Sequence, residues 1–251
     1  MNILLTNDDG IHASGLRAIY NELTKLGHNV FTFAPTTERS GASSSVSLNV
    51  PLTTQDIYDG DFKGTAINGT PVDCVKVGLA KLHENPPDLI VSGINAGHNV
   101  GTDILYSGTV AAAIEGCVAG IPSIAFSRPR EEVDPTQSYA EHAANLLKKI
   151  DFSLIPKGQI LNVNYPSISI KKTLGIKVCA MSPQGWEHKL HKKKDDNGKP
   201  YWFISPYIPY THGIPQTDVF FLIEGWITIT PLLFNMTAQN TLSNLEQYSF
   251  T

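Results

Sequence analysis

Apolar residues open the chain as a short unbroken run, Ile3-Leu4-Leu5, which stops at Asn7-Asp8-Asp9-Gly10. Such a run, ended by turn residues, fits a strand buried on both faces of a parallel sheet. From Gly15 the spacing changes. Leu16, Ile19, Tyr20, Leu23 and Leu26 recur at helical intervals, and Gly27 supplies a stop. Asn29 to Ala34 is apolar and extended again, so strand, helix and strand form a βαβ unit with a right-handed crossover. Phe62 to Ile67 reads as a further strand. Asn68-Gly69-Thr70-Pro71 starts a helix, with Thr70 as N-cap, Pro71 in the first turn, and Val72, Val75, Leu79 and Leu82 on its buried face. After Pro86-Pro87, residues 88–95 form another apolar strand, followed by a helix over 110–119, a strand over 121–127, a helix from Asp134-Pro135 to about Ile150 and a strand over 159–164.

This alternation predicts an α/β fold, a Rossmann-like, doubly wound and mostly parallel sheet in three layers. It spans residues 1–170. From Lys171 the pattern turns to short strands over 175–181, 201–204, 220–223 and 226–230, read as antiparallel hairpins. Trp186, Tyr201, Trp202, Phe203, Tyr207 and Tyr210 crowd this stretch, and Pro206, Pro209 and Pro215 interrupt it. Residues 171–251 are therefore expected to be a β-hairpin arm with returning strands and a weakly helical tail, serving oligomer contacts rather than forming an independent domain. A hairpin folded back on its own domain is the other reading.

Composition narrows the partners. The 251 residues carry a net charge of −4, and the one basic run, Lys192-Lys193-Lys194, leads into Asp195-Asp196-Asn197-Gly198 as a solvated hairpin or loop tip would. Stable nucleic-acid binding is not expected. No apolar run reaches membrane-spanning length, and the opening residues lack the basic region of a leader, so a cytoplasmic location is expected. Cys74, Cys117 and Cys179 have no Cys-x-x-Cys spacing and read as small buried residues in a reducing compartment.

The chemistry gathers at strand ends. Ligands of open α/β sheets bind outside the carboxyl ends of the strands. Asp8 and Asp9 end the first strand, the Ser-rich loop carrying Ser40 follows the second, and Asn95 ends the strand over 88–95. Adjacent carboxylates repel unless a cation or a shared proton lies between them. Four oxygen donors with two carboxylates suit Mg²⁺ or Mn²⁺, and Ca²⁺ can occupy such a site. Ser107-Gly108-Thr109 opens the helix over 110–119, and the free N–H groups of a helix start suit a phosphate. A plain cap is the other reading for Thr109. In the Gly- and Asn-rich loop between, His98 is a candidate base or phosphate contact and Asn99 a candidate substrate contact. His12 and Asp103 are more distant candidates, read chiefly as a surface residue and a loop brace. The Gly-x-Gly-x-x-Gly turn of dinucleotide-binding enzymes is missing after the first strand, and no His-rich zinc set of a deacetylase is evident.

These segments resemble the SurE family of survival proteins, the 5′/3′-nucleotidases. The resemblance rests on Ile3-Leu-Leu-Thr-Asn-Asp-Asp-Gly10, Ala34-Pro35 with Arg39-Ser40-Gly41, Asn68-Gly-Thr-Pro71, Val91-Ser-Gly-Ile-Asn95-Ala-Gly-His-Asn99, Tyr106-Ser-Gly-Thr-Val-Ala-Ala-Ala-Ile-Glu115-Gly, and Thr217-Asp218 leading to Ile227-Thr-Ile-Thr230-Pro231. It implies a metal-dependent phosphohydrolase for nucleoside 5′- and 3′-monophosphates, with other phosphate esters and polyphosphate as further substrates. Asp8, Asp9, Ser40 and Asn95 would hold one divalent ion. Asp8, Asp9 and Asn95 would be catalytic, and Ser107, Gly108 and Thr109 would bind phosphate. Family members are dimers or tetramers that exchange C-terminal elements, so a homodimer or homotetramer is implied. A non-catalytic sensor of metal and nucleotide is the alternative reading. The arm departs from the family, being more basic over Trp186 to Asp196 and carrying Trp226 where tyrosine is common.

Overall fold

A computed structural model describes residues 1–185, 187–208 and 213–248. In chain order the elements are β1 (Asn2–Thr6), α1 (Ser14–Lys25), β2 (Asn29–Pro35), β3 (Thr54–Asp59), β4 (Phe62–Ile67), α2 (Pro71–Lys81), β5 (Leu89–Ala96), α3 (Gly108–Val118), β6 (Ser123–Arg128), α4 (Thr136–Leu147), β7 (Gln159–Asn164), β8 (Ile176–Val178), β9 (Glu187–Lys194), β10 (Pro200–Ile208), α5 (Asp218–Ile223), β11 (Ile227–Leu233) and α6 (Gln239–Leu245). Among the described residues, one nine-stranded sheet runs β3-β4-β2-β1-β5-β6-β7-β11-β8, and β9 and β10 form a separate ribbon. From β4 to β7 every neighbouring pair is parallel. The expected doubly wound α/β fold is present.

β1 shows why. Ile3, Leu4 and Leu5 are all fully buried. Side chains alternate across a sheet. Ile3 and Leu5 join the cluster that holds Leu16, Ile19 and Leu23 of α1 with Tyr139, Ala140 and Ala143 of α4. Leu4 joins the opposite cluster, with Cys74 and Val75 of α2 and Ala112 of α3. Thr70 caps α2 as expected. Its hydroxyl accepts from the Asp73 amide, and the Asp73 carboxylate accepts from the Thr70 amide.

Close approach depends on glycines at two places. A Cβ on Gly116 in α3 would meet Ile90 Cδ1 at 2.4 Å. One on Gly15, at the start of α1, would lie 2.0 Å from the carbonyl oxygen of Ile94 in β5. Glu115, one residue from Gly116, pairs with Lys76 of α2 at 2.5 Å.

The C-terminal part differs from the hairpin reading in two ways. Residues 220–223 are not a strand but lie within helix α5. A short apolar run is ambiguous between helix and strand, and here Thr217-Asp218 supplies a helix start that sends Val219 and Leu222 onto one face against Val100. β8 and β11 are not hairpin partners of each other either. β11 runs antiparallel to β7 and β8 runs parallel to β11, so both extend the main sheet. The ribbon is a hairpin, with the lysine run on β9 leading into a turn where Asp195 Oδ1 accepts from the amides of Asn197 and Lys199. Tyr201, Trp202 and Phe203 are exposed on it, whereas Trp186, Pro209 and Tyr210 lie outside the described residues. All three cysteines are free and buried. Among the described residues, no helix is long and apolar enough to cross a membrane.

Gly15→Ala is expected to cost about 1–3 kcal/mol, because backbone rather than a movable side chain stands in the way. Urea unfolding of the variant against the parent chain measures it.

Candidate active site

The strand order reverses beside β1. The chain moves from β1 outward to β2 on one side and returns to place β5 on the other. A crevice opens at such a switch point, beyond the carboxyl ends of the two strands. Asp8 and Asp9 follow β1 there, and Asn95 closes β5.

Asn7 shapes the turn. Its side chain donates to the Gly10 carbonyl at 3.0 Å and accepts from the Gly10 amide at 3.2 Å. Gly10 takes φ +102°, a conformation open mainly to glycine, and packs against the backbone at Thr37. The loop after β2 docks on the same turn, with the Arg39 amide donating to the Asp8 carbonyl at 2.8 Å. This brings Ser40 to the rim, where its hydroxyl donates to Glu38 at 2.5 Å.

Asp8 is almost fully buried. Burial pushes its carboxyl up to about 6, the hydrogen bond from the Thr109 hydroxyl pulls it down, and the charge of Asp9 pushes it up again. The Thr109 amide also faces this carboxylate, so Asp8 itself occupies part of the N-terminus of α3. Asp9 is half-buried and is likewise raised, first by burial, against the pull of an amide bond from Ala96 at 3.1 Å. Glu38 raises it further, and Arg128 and Arg130 lower it.

A cavity of about 670 Å³ opens over this rim. Asp8, Ser40, Asn95, His98, Asn99 and Ser107 line it. Asp103, read from sequence as a loop brace, lines it as well, so the structure brings together seven of the eleven residues singled out from sequence. Asp9, Gly108 and Thr109 adjoin these residues in the chain without lining the cavity. Gly108 lets α3 approach, since a Cβ there would lie 2.8 Å from the Asp8 Cβ. Thr109 is neither a plain cap nor a cavity contact by its side chain. It is fully buried and spends its hydroxyl on Asp8, while Ser107 is the N-cap and accepts from the Val110 amide at 3.1 Å.

The loop after β5 is held from below. Asn95 Nδ2 donates to the Gly97 carbonyl at 2.8 Å, which leaves Oδ1 for a ligand. The Asn99 amide donates to Asn164 Oδ1 at 2.8 Å, its carbonyl accepts from Asn162 and Asn164 at 2.7 and 2.9 Å, and its Nδ2 donates to Ser127. His98 Nε2 donates to the Tyr165 carbonyl at 2.9 Å. Loss of water around the ring outweighs that bond and pushes His98 down to about 4. The ring is therefore neutral near pH 7, an anchor and a weak base. His12 lies off the cavity and accepts from Arg17 at 3.2 Å.

Sequence reading missed Arg130, Glu131 and Ser167 on the cavity wall, together with Tyr106, Leu190 and Ile204. Arg130 and Glu131 follow the carboxyl end of β6, so the rim rule that found Asn95 reaches them as well.

Among the described residues, no three His, Cys, Asp or Glu side chains gather as a metal cluster. Any ion here would rest on two carboxylates and neutral oxygens. Such a site on a doubly wound sheet defines a Rossmann-like α/β protein with an oxygen-lined pocket at its switch point. The family model of survival protein SurE matches residues 3–188, and the chain belongs to the SurE family. It is 94% identical over 251 residues, with full coverage of both chains, to a Lawsonia intracellularis protein named 5′-nucleotidase SurE. A Nitratidesulfovibrio vulgaris protein of the same name is 42% identical over 245 residues, covering 98% of each chain. The crystal structure of the SurE protein from Aquifex aeolicus matches with a TM-score of 0.84 at 35% identity, covering 98% of each chain.

His98 is expected to show a neutral Nε2–H tautomer with no titration between about pH 5.5 and 8, checked by ¹⁵N NMR of the imidazoles. Its pKa is lowered on folding from an ordinary value of 6.5. The stabilisation from this group is then complete above pH 6.5 and declines as pH falls toward 4.

Proposed function

We propose that this chain is a metal-dependent phosphomonoesterase that converts nucleoside 5′- and 3′-monophosphates to nucleoside and phosphate, and that also accepts polyphosphate. The observation that carries the reading is the pair Asp8–Asp9. Two carboxylates are held at the switch point of the sheet, both raised by burial, and the charge of Asp9 raises Asp8 further. A divalent cation relieves both burial and repulsion. The relatives are named 5′-nucleotidase, which supports the action on 5′-monophosphates.

The donor set fits such an ion. Asp8, Asp9, Ser40 and Asn95 would hold it, and all four offer oxygen, the ligand type of Mg²⁺ and Mn²⁺. When bound, the ion supplies a Lewis acid for the phosphoryl oxygen and lowers the pKa of water. The chain does the rest. Ser107 and the amide end of α3 bind the phosphate beside Asp8, with Asn99 and His98 on the wall of the same loop. Asn95 orients a phosphate oxygen. A carboxylate of the pair takes the proton of a water that attacks phosphorus in line. The new P–O bond forms as the ester P–O bond breaks, and the nucleoside oxygen leaves with a proton from solvent. Thr109 and the Ala96 amide hold the two carboxylates in place.

The exposed apolar side chains of the ribbon and tail, such as Trp202, Met236 and Tyr248, support assembly as a homodimer or homotetramer. The three free thiols are consistent with a cytoplasmic protein.

Phosphate release from a panel of nucleoside monophosphates tests the proposal. Release is expected to vanish with EDTA and to return with Mg²⁺ or Mn²⁺. A folded protein that releases no phosphate with any metal would instead be a nucleotide sensor. Asp8→Asn is expected to lower kcat/KM by about 10²–10³-fold or more. The same change removes a buried charge beside a like charge, so the melting temperature is expected to stay level or rise. Steady-state kinetics and calorimetry on the one variant check both.

A further inference from the structure

The cavity is lined by apolar as well as polar side chains, and only the polar ones are used by the reaction above. Leu190 of β9 and Ile204 of β10 are among the apolar ones. They are directly opposed across the antiparallel ribbon and so project from the same face. Both are more than half exposed, at 63% and 59%. Tyr106, also lining the cavity and 59% exposed, belongs to the body of the protein and immediately precedes the helix cap Ser107. Its backbone is fixed, since the Tyr106 carbonyl accepts from the Ser43 amide at 3.2 Å. Arg130, Glu131 and Ser167 supply hydrogen-bonding groups to the same cavity.

An apolar cross-strand pair and a phenol ring, both open to one cavity that polar groups also line, suit a flat heteroaromatic ring rather than solvent. A volume of about 670 Å³ is ample for more than a phosphate group. We infer that the β9–β10 ribbon is the specificity element of this pocket: Leu190 and Ile204 cover the base of a nucleotide from one side and Tyr106 from the other, while the phosphate lies at Ser107. The inference rests on the nucleotidase reading and deepens it. A substrate without a base makes no contact with these three side chains and gains nothing from the ribbon.

Two variants, one on the ribbon and one on the body of the protein, test this: Leu190→Ser combined with Ile204→Ser, and Tyr106→Ala. None of the three side chains is buried, so the fold does not depend on them. With adenosine 5′-monophosphate and cytidine 5′-monophosphate, each variant is expected to raise KM about tenfold with kcat within about twofold. With glycerol 2-phosphate, which has no base, kcat/KM is expected to change by less than about twofold. An unchanged nucleotide KM, or an equal loss on all three esters, overturns the inference. Titration calorimetry of adenosine 5′-monophosphate in EDTA reads the same subsite without turnover. If the parent chain cleaves none of the esters, the nucleotidase reading fails by itself. Binding of adenosine 5′-monophosphate that weakens about tenfold in both variants then still supports the subsite, and absent or unchanged binding overturns it.

Discussion

One buried charge sets the terms for the rest of this structure. Asp8 sits at the carboxyl end of the central strand with almost no access to water, and the neighbouring Asp9 carboxylate adds its repulsion. Moving its pKa from 3.8 to about 6 corresponds to roughly 3 kcal/mol surrendered to keep it ionised at neutral pH. A sequence selected for stability alone would place an apolar or amide side chain there. The surroundings are arranged to tolerate the charge without neutralising it. The Thr109 hydroxyl and amide donate to it, and the start of α3 adds the positive end of a helix dipole. None of these is a full counter-charge, so a cationic ligand still has much to gain.

Holding that arrangement requires several elements to meet closely. β1 must be gripped from both faces, and Ile3, Leu4 and Leu5 achieve this by sending alternate side chains into two separate cores. α3 must come near enough for its first turn to touch Asp8. Gly108 at its start and Gly116 on its sheet-facing side make room for that, against Asp8 and Ile90 respectively. α1 must start against the end of β5, where Gly15 abuts the Ile94 carbonyl. The loop carrying Asn95 to Asn99 is then pinned by Asn162 and Asn164 of β7, two buried amides that bond its backbone much as a strand would. On this side the cavity wall is bonded down into the sheet.

Much of this is legible in the sequence, for local reasons. β1, the capped start of α2 and the strand β7 are set by short runs whose period and end signals agree. The rim position of Asp8, Ser40 and Asn95 follows from those strands and the switch-point rule. What is not legible depends on contacts between distant segments. Nothing local to Thr109 says that its hydroxyl turns to a residue 101 positions earlier. Nothing local to Leu190 or Ile204 distinguishes a cavity-facing pair from an ordinary apolar pair on a ribbon. The run from Phe220 to Ile223 fails as a strand because Thr217-Asp218 starts a helix, a signal present in the sequence but read only as part of a family pattern.

Asp218 also shows why the C-terminal segment bears on the site. Its side chain is fully buried and accepts amide bonds from Gly101, Ser182 and Val219 at 2.9, 2.8 and 2.8 Å. Gly101 begins the turn that ends at Tyr106, one residue before the cap of α3. Ser182 lies a few residues before the ribbon. A single carboxylate therefore ties the base of the ribbon to the turn that carries Tyr106 toward the cavity. Three amide donors offset part of the cost of its burial, as the Thr109 hydroxyl and amide do for Asp8. The two buried aspartates thus have opposite uses. Asp218 has its bonding capacity spent on the fold and joins two walls of the pocket, whereas Asp8 lines the cavity beside a second carboxylate, where a cationic ligand can offset both charges.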